Sequence, residues 1–248
     1  MNKLMMTPEE LNLKQISLQK EIYTKAKSNG SATNKIAAIP DGVADCAQYL
    51  NSSPRVMWIL KEPYDYFQED GTPTGGGWLL YEGFLGEDRD WQKNITWQRI
   101  IYTMYGLRNG LRYGDMDYIR NKPEMGDVMK ETVILNLSKM PAQTTSGDYT
   151  FAQSYEACWK LILIKQIELY NPQVIIFGNT FDTCWPVFVP EDAKPIARIP
   201  EEGRCFINLY KYNGRLLLDA YHPGIRSNVE FYVNSIIDTI REFFPKED

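Results

Sequence analysis

The chain contains one histidine, His222, in Asp219-Ala220-Tyr221-His222-Pro223-Gly224, directly after the apolar run Arg215-Leu216-Leu217-Leu218. Imidazole is the side chain whose ordinary pKa lies nearest neutrality, and a neighbouring proline fixes the backbone so that the ring can be aimed. A second apolar run ends in a charged, proline-containing turn, Val56-Met57-Trp58-Ile59-Leu60-Lys61-Glu62-Pro63-Tyr64-Asp65, which supplies a carboxylate and an aromatic ring. A third run, Thr132 to Leu137, delivers Asn136, Ser138 and Lys139, and a fourth, Val174 to Phe177, delivers Gly178, Asn179 and Thr180. If the four runs are neighbouring strands, their ends build one pocket holding a carboxylate, an amide, an imidazole and aromatic faces. Ligands of open α/β sheets collect at such strand ends.

Short, continuous, largely apolar runs suit strands covered on both faces. Helical patterns alternate with them at about Trp97 to Tyr105, Phe151 to Tyr170 and Asn228 to Phe244. The expected fold is therefore α/β, a three-layer α/β/α sandwich with a mainly parallel central sheet. One antiparallel edge is allowed, because Asn213-Gly214 is a strong hairpin turn between Phe206 to Tyr210 and Arg215 to Asp219. Thr7-Pro8-Glu9-Glu10 reads as a cap with proline at the first helical position, opening an amphipathic helix that ends at Asn29-Gly30. With 248 residues and 44% hydrophobic content, the chain suits a single domain with an N-terminal helical extension over about residues 1–50. Asp70 to Asp90, where Gly71, Gly75, Gly76, Gly77 and Gly83 are interleaved with Trp78, Tyr81 and Phe84, reads as a long ordered loop.

Composition narrows the function classes. The net charge of −5 argues against a protein that coats nucleic acid by bulk electrostatics, while leaving room for a local basic patch. The four cysteines, Cys46, Cys158, Cys184 and Cys205, form no Cys-x-x-Cys pair and no regular spacing, which disfavours a zinc ribbon or a disulfide framework. No metal site is expected. No apolar run is long enough to span a membrane, and an intracellular, cytoplasmic, monomeric protein is expected. Gly75-Gly76-Gly77 lacks the Lys-Ser/Thr pair of a phosphate-binding P-loop, and no Gly-x-Ser-x-Gly elbow exists to pair with His222 as in an ester hydrolase.

Taken in order, these landmarks resemble the uracil-DNA glycosylase superfamily. Leu60-Lys61-Glu62-Pro63-Tyr64-Asp65 is similar to a first motif of the form Gly-Gln-Asp-Pro-Tyr-His or Gly-Glu-Ala-Pro-Gly, and His222-Pro223-Gly224-Ile225-Arg226-Ser227 to a second of the form His-Pro-Ser-Pro-Leu-Ser. Val133-Ile134-Leu135-Asn136 resembles the strand ending in a base-reading asparagine, and Pro172-Gln173-Val174-Ile175-Ile176-Phe177-Gly178-Asn179 the strand ending in Gly-Asn or Gly-Lys. Asp65 stands where one branch has histidine, and Gly224-Ile225-Arg226 lacks a second proline and a leucine wedge.

The resemblance implies hydrolysis of the N-glycosidic bond of uracil or a related damaged base in single- or double-stranded DNA, without a cofactor. It implies that His222 donates to the departing base and that Glu62 positions water. Asn136 would read the Watson–Crick edge of an extruded base. Tyr64 would crowd out a 5-methyl group, and Trp78 or Phe84 would stack on the base. Ser138, Lys139, Arg226 and Ser227 become candidates for phosphate contacts. The alternative is a catalytically silent module that uses the same pocket to bind a nucleobase, a nucleotide or nucleic acid. The insertion from Arg108 to Met129 has no role in either reading.

Overall fold

The computed structural model describes residues 6–65, 74–142, 150–188, 195–202, 205–225 and 228–245. Its first helix, α1 (Pro8–Ser28), begins at a capping box. The Glu10 amide donates to the Thr7 hydroxyl at 3.2 Å and the Thr7 amide to the Glu10 carboxylate at 3.0 Å, so two otherwise unpartnered donors are satisfied reciprocally. Leu11, Ile22 and Ala26 of this helix are fully buried, so α1 is part of the packed layers and not an appendage.

The apolar runs form strands where expected: β1 (Val56–Leu60), β2 (Val133–Asn136), β3 (Val174–Gly178), β5 (Cys205–Tyr212) and β6 (Arg215–Ala220). A sixth strand, β4 (Ala197–Glu202), was not anticipated; its Arg198, Pro200, Glu201 and Glu202 break the apolar pattern that marks the others. The order across the sheet is β2-β1-β3-β6-β5-β4. The first four are mutually parallel, and β5 runs antiparallel to both β6 and β4. Asn213 and Gly214 turn the β5–β6 hairpin with φ of 49° and 75°, the left-handed pair that a two-residue turn between twisted strands requires.

Alternation along the strands divides the core in two. Val56, Trp58 and Leu60 of β1, with Ile134, Ile176 and Leu218, face helices α3 (Ile95–Asn109) and α7 (Val229–Phe243). Met57 and Ile59, with Val133, Leu135, Ile175 and Phe177, face α1 and α5 (Lys160–Tyr170). The result is an α/β sheet layered between helices. The long helix expected over Phe151 to Tyr170 is interrupted: α4 (Thr150–Ser154) passes through a π-helical turn at Tyr155–Trp159 before α5. Two short helices escaped the periodicity. Helix α2 (Cys46–Asn51) is set by Asp45, whose carboxylate accepts from the amides of Ala47 and Gln48 at 2.9 Å each, and α6 (Phe181–Phe188) follows β3.

The insertion starts as a continuation of α3, which stops at Gly110 in the left-handed conformation (φ 74°) and leads into 3-10 turns at Tyr113–Asp115 and Pro123–Met129. Among the described residues no helix is long and apolar enough to cross a membrane.

Candidate active site

The carboxyl ends of β2, β1, β3 and β6 lie side by side, with Leu60 paired to Asn136 and Gly178 to Ala220. Asn136, Gly178 and Ala220 continue the alternation that puts Ile134, Ile176 and Leu218 on the α3/α7 face, so the site opens on that side of the sheet. The two motif segments leave the sheet as anchored turns. After β1, the carbonyls of Leu60, Lys61 and Pro63 accept from the amides of Leu137, Ser138 and Ala142 at 2.9 Å each. This holds Lys61-Glu62-Pro63-Tyr64 alongside the segment that follows Asn136.

After β6, the His222 turn closes over Gly178. A Cβ added to Gly178 would come within 2.7 Å of Leu60 Cδ2 and 3.1 Å of Pro223 Cδ, so only glycine leaves room for Pro223 there. Gly224 is confined in the same way: its missing Cβ would sit 2.7 Å from Thr96 Oγ1, which seats the turn against the first turn of α3.

His222 has a defined protonation state. Its Nδ1 accepts from the Gly224 amide at 3.1 Å, which leaves Nε2 to carry the proton of a neutral ring. Burial, reinforced by the positive charges of Lys61 and Arg99, brings its pKa down to about 4. At neutral pH His222 is therefore an uncharged donor through Nε2. Glu62 is 7% exposed, and its charge, after burial, helps raise the pKa of the Tyr64 phenol, so carboxylate and phenol are close neighbours. Tyr64, 39% exposed, stands at the rim.

Asn136 is held by its backbone. Its amide donates to Asp41 Oδ2 at 2.6 Å, and its carbonyl accepts from Lys139 Nζ at 2.6 Å. Asp41 and Lys139 are themselves fully buried and bonded to each other at 2.8 and 2.9 Å, and Gln166 Nε2 donates to Asp41 Oδ1 at 2.8 Å. Burial draws the Lys139 ammonium below its ordinary pKa, against the opposing pull of Asp41. Although Asn136 is only 2% exposed, its carboxamide makes no hydrogen bond among the described residues. The carboxamide is thus open to hydrogen bonding by water or a ligand.

No protein-family model matches the chain, and no curated protein matches it in sequence.

The glycine-rich loop is fixed by Asp65. Its Oδ2 accepts from the Gly76 amide at 2.6 Å and from the Trp78 indole at 2.8 Å. Gly76 (φ 76°) must be glycine, because a Cβ there would fall 1.9 Å from the Ala37 carbonyl oxygen. Trp78 is partly buried at the edge of the α3/α7 core. The stretch against which this loop lies, residues 35–40, runs straight on into Asp41, so the Trp78 loop and the Asn136 clamp share one support.

Three expected roles do not survive the packing. Phe84 is 3% exposed beneath Trp91 and Trp97, at centroid distances of 4.9 and 5.4 Å, and serves as core, as does Tyr81, whose hydroxyl is held by Gln19. Lys139 cannot reach a phosphate: its side chain is fully enclosed and paired with Asp41. Ser138 is 4% exposed, with its hydroxyl engaged by Ser154 and by the Met140 amide. Arg226 and Ser227 lie outside the described residues.

Two contributors were missed. Arg99, 5% exposed, sits on the same α3 stripe as Tyr102, Thr103 and Gly106, and a cation on a buried stripe was a readable signal. Asp41, in Pro40-Asp41-Gly42, looks like any turn residue in sequence. Among the described residues, no group of three or more His, Cys, Asp and Glu is placed to hold a metal ion.

Proposed function

We propose that the chain hydrolyses the N-glycosidic bond of uracil, or of a related damaged base, in DNA. The observation that supports this reading is the neutral His222, whose Nδ1 is engaged by the Gly224 amide so that Nε2 is its donor, in the turn that follows β6, in the same sheet whose β1 is followed by Glu62 and whose β2 ends at Asn136. As the bond between C1′ and the base nitrogen breaks, its electron pair leaves with the base and negative charge grows on the base carbonyl. A preset neutral donor stabilises that charge at no reorganisation cost, and a neutral imidazole gives up its hydrogen bond without transferring the proton.

Positive charge develops on the sugar at the same time. Glu62 offsets it and orients a water whose oxygen bonds to C1′; the water's proton passes through the carboxylate to solvent or to the departed base. Asn136 supplies one acceptor and one donor to the edge of a flipped base, the pattern that separates uracil from cytosine. Tyr64, exposed at 39%, would crowd a 5-methyl group, as the resemblance implies.

Base release from uracil-containing single- and double-stranded oligonucleotides tests the proposal. His222→Ala is expected to slow release by about 10²- to 10³-fold and Glu62→Gln by about 10²- to 10⁴-fold. Absence of release by folded protein refutes the hydrolase. Saturable binding that His222→Ala abolishes would then leave the site as a nucleobase-binding module.

A further inference from the structure

A cleft of about 830 Å³ opens beside the candidate site, between the start of α3, the insertion after it and the first residue of α7. Its walls carry four cations, Arg89, Lys93, Arg99 and Arg120, against one carboxylate, Asp90, with Arg89 paired to Asp127 at 2.9 Å. On a chain whose net charge is −5, so one-sided a lining in a concave surface marks a place for an anion. Arg120 forms no ion pair or hydrogen bond among the described residues, and the Lys93–Asp90 pair is highly exposed, with side chains 77% and 73% accessible. Water screens such a pair, so it does little to neutralise the lysine.

The cleft also has flat and apolar faces. Tyr118 (69% exposed) and Ile95 (49%) are among the most exposed large hydrophobic side chains of the described residues, and both line it. Tyr118 does not sit on a loose loop. The Asn121 amide donates to the Tyr118 carbonyl at 2.8 Å, closing a turn, and Ile119 between them is 5% exposed with its amide donating to the Tyr102 hydroxyl at 3.0 Å. One buried residue thus pins a turn that presents an aromatic ring and a free guanidinium on either side of it. The cleft approaches the candidate site along α3, where Ile95 lines the cleft and the next residue, Thr96, lies against Gly224 of the His222 turn.

We infer that this cleft binds a short stretch of single-stranded nucleic acid, with phosphates at Arg120 and Lys93 and an unpaired base on Tyr118. The occupant's identity rests on the reading of the neighbouring site as a nucleobase site. Cations tracking a backbone, with an aromatic ring for a base, are the components of single-strand recognition. The volume lies toward the upper end of the range of about 300–1,000 Å³ for ligand pockets, roomy for a lone phosphate. A duplex hides its base faces and would leave Tyr118 and Ile95 unused. The insertion from Arg108 to Met129, without a role in the sequence, supplies Tyr118, Arg120 and Pro123 to the wall.

Fluorescence anisotropy of a labelled oligothymidylate, which contains no uracil and calls for no base release, tests this at low and moderate salt. Arg120→Glu and Tyr118→Ala are each expected to weaken binding by about tenfold, and Arg120→Glu to reduce the salt slope by about one. Both residues are exposed, so unchanged melting temperatures certify the fold. His222→Ala should bind as tightly as the unaltered protein. Failure of base release with this pattern intact would refute the hydrolase and leave the cleft assignment standing. The cleft assignment is overturned by no binding of the oligothymidylate, by equal affinities in both cleft variants, by tighter binding of the matching duplex, or by loss of binding in His222→Ala alone.

Discussion

His222 is the only histidine, so its protonation can be followed without ambiguity. Burial, with Lys61 and Arg99, lowers its pKa from 6.5 to about 4. At about 1.4 kcal/mol per pH unit, that gap corresponds to ~3 kcal/mol of preference for the neutral ring in the folded state. Above pH 6.5 the ring is neutral whether the chain is folded or not, and it adds no slope. As the pH falls from about 6.5 to about 4, the unfolded chain takes up the proton and the folded chain does not, so stability declines; below about 4 both forms carry it and the slope ends.

Carboxylates titrate over part of the same range, so the measurement is a difference. Urea unfolding of the protein and of His222→Asn from about pH 7 to below about pH 4 should give stability curves that converge, or cross, by ~3 kcal/mol as the pH drops. Imidazole nitrogen chemical shifts should report the Nε2–H tautomer at neutral pH, with a midpoint near 4. A midpoint close to 6.5, or a ring protonated on Nδ1, would refute both the donor assignment and the reasoning from burial that supports it.

Two further perturbations address the scaffold. Gly178→Ala places a methyl 2.7 Å from Leu60 Cδ2 and 3.1 Å from Pro223 Cδ; overpacking of that kind costs about 1–3 kcal/mol. Because the added methyl also presses on the Pro223 ring beside His222, the His222 resonance should shift and base release should fall by more than the stability loss explains. Thermal unfolding together with kinetics on the same sample checks this, and an unmoved His222 resonance would contradict it. Lys139→Met leaves Asp41 fully buried without its cation, at an expected cost of about 3–5 kcal/mol in chemical denaturation. A cost below about 1 kcal/mol would mean that the pair does not hold Asn136 as argued.

The sheet was legible because burial on both faces writes itself as uninterrupted apolar runs. Val56–Leu60, Val133–Asn136, Val174–Gly178 and Arg215–Ala220 gave the strands, and Asn213-Gly214 gave the hairpin, since few dipeptides tolerate two left-handed residues. Strand β4 was not legible, because an edge strand of mixed polarity has no period to read. The same logic applies at the site. His222, Glu62 and Asn136 could be singled out because they follow apolar runs, and the fold aligns strand ends by construction. Lys139 was misread for the same reason. Three residues beyond a strand, a lysine looks like a surface cation until its partner is known, and Asp41 stands 98 positions away in a segment with no distinguishing pattern.

That pairing changes what the strand end is for. A lysine free to meet phosphate would leave Asn136 supported by the strand ladder alone; a lysine turned inward fixes the Asn136 carbonyl while Asp41 fixes its amide, and the carboxamide makes no hydrogen bond among the described residues. Charge that composition would assign to the surface is used internally to hold the Asn136 backbone. The cations available to phosphate then lie on the insertion and at the start of α3, where Arg120 and Lys93 line the cleft. On the proposed reading the strand ends and the insertion are complementary: the strand ends would present hydrogen-bonding groups to a base, and the neighbouring cleft would present positive charge and an exposed ring to the chain that carries it.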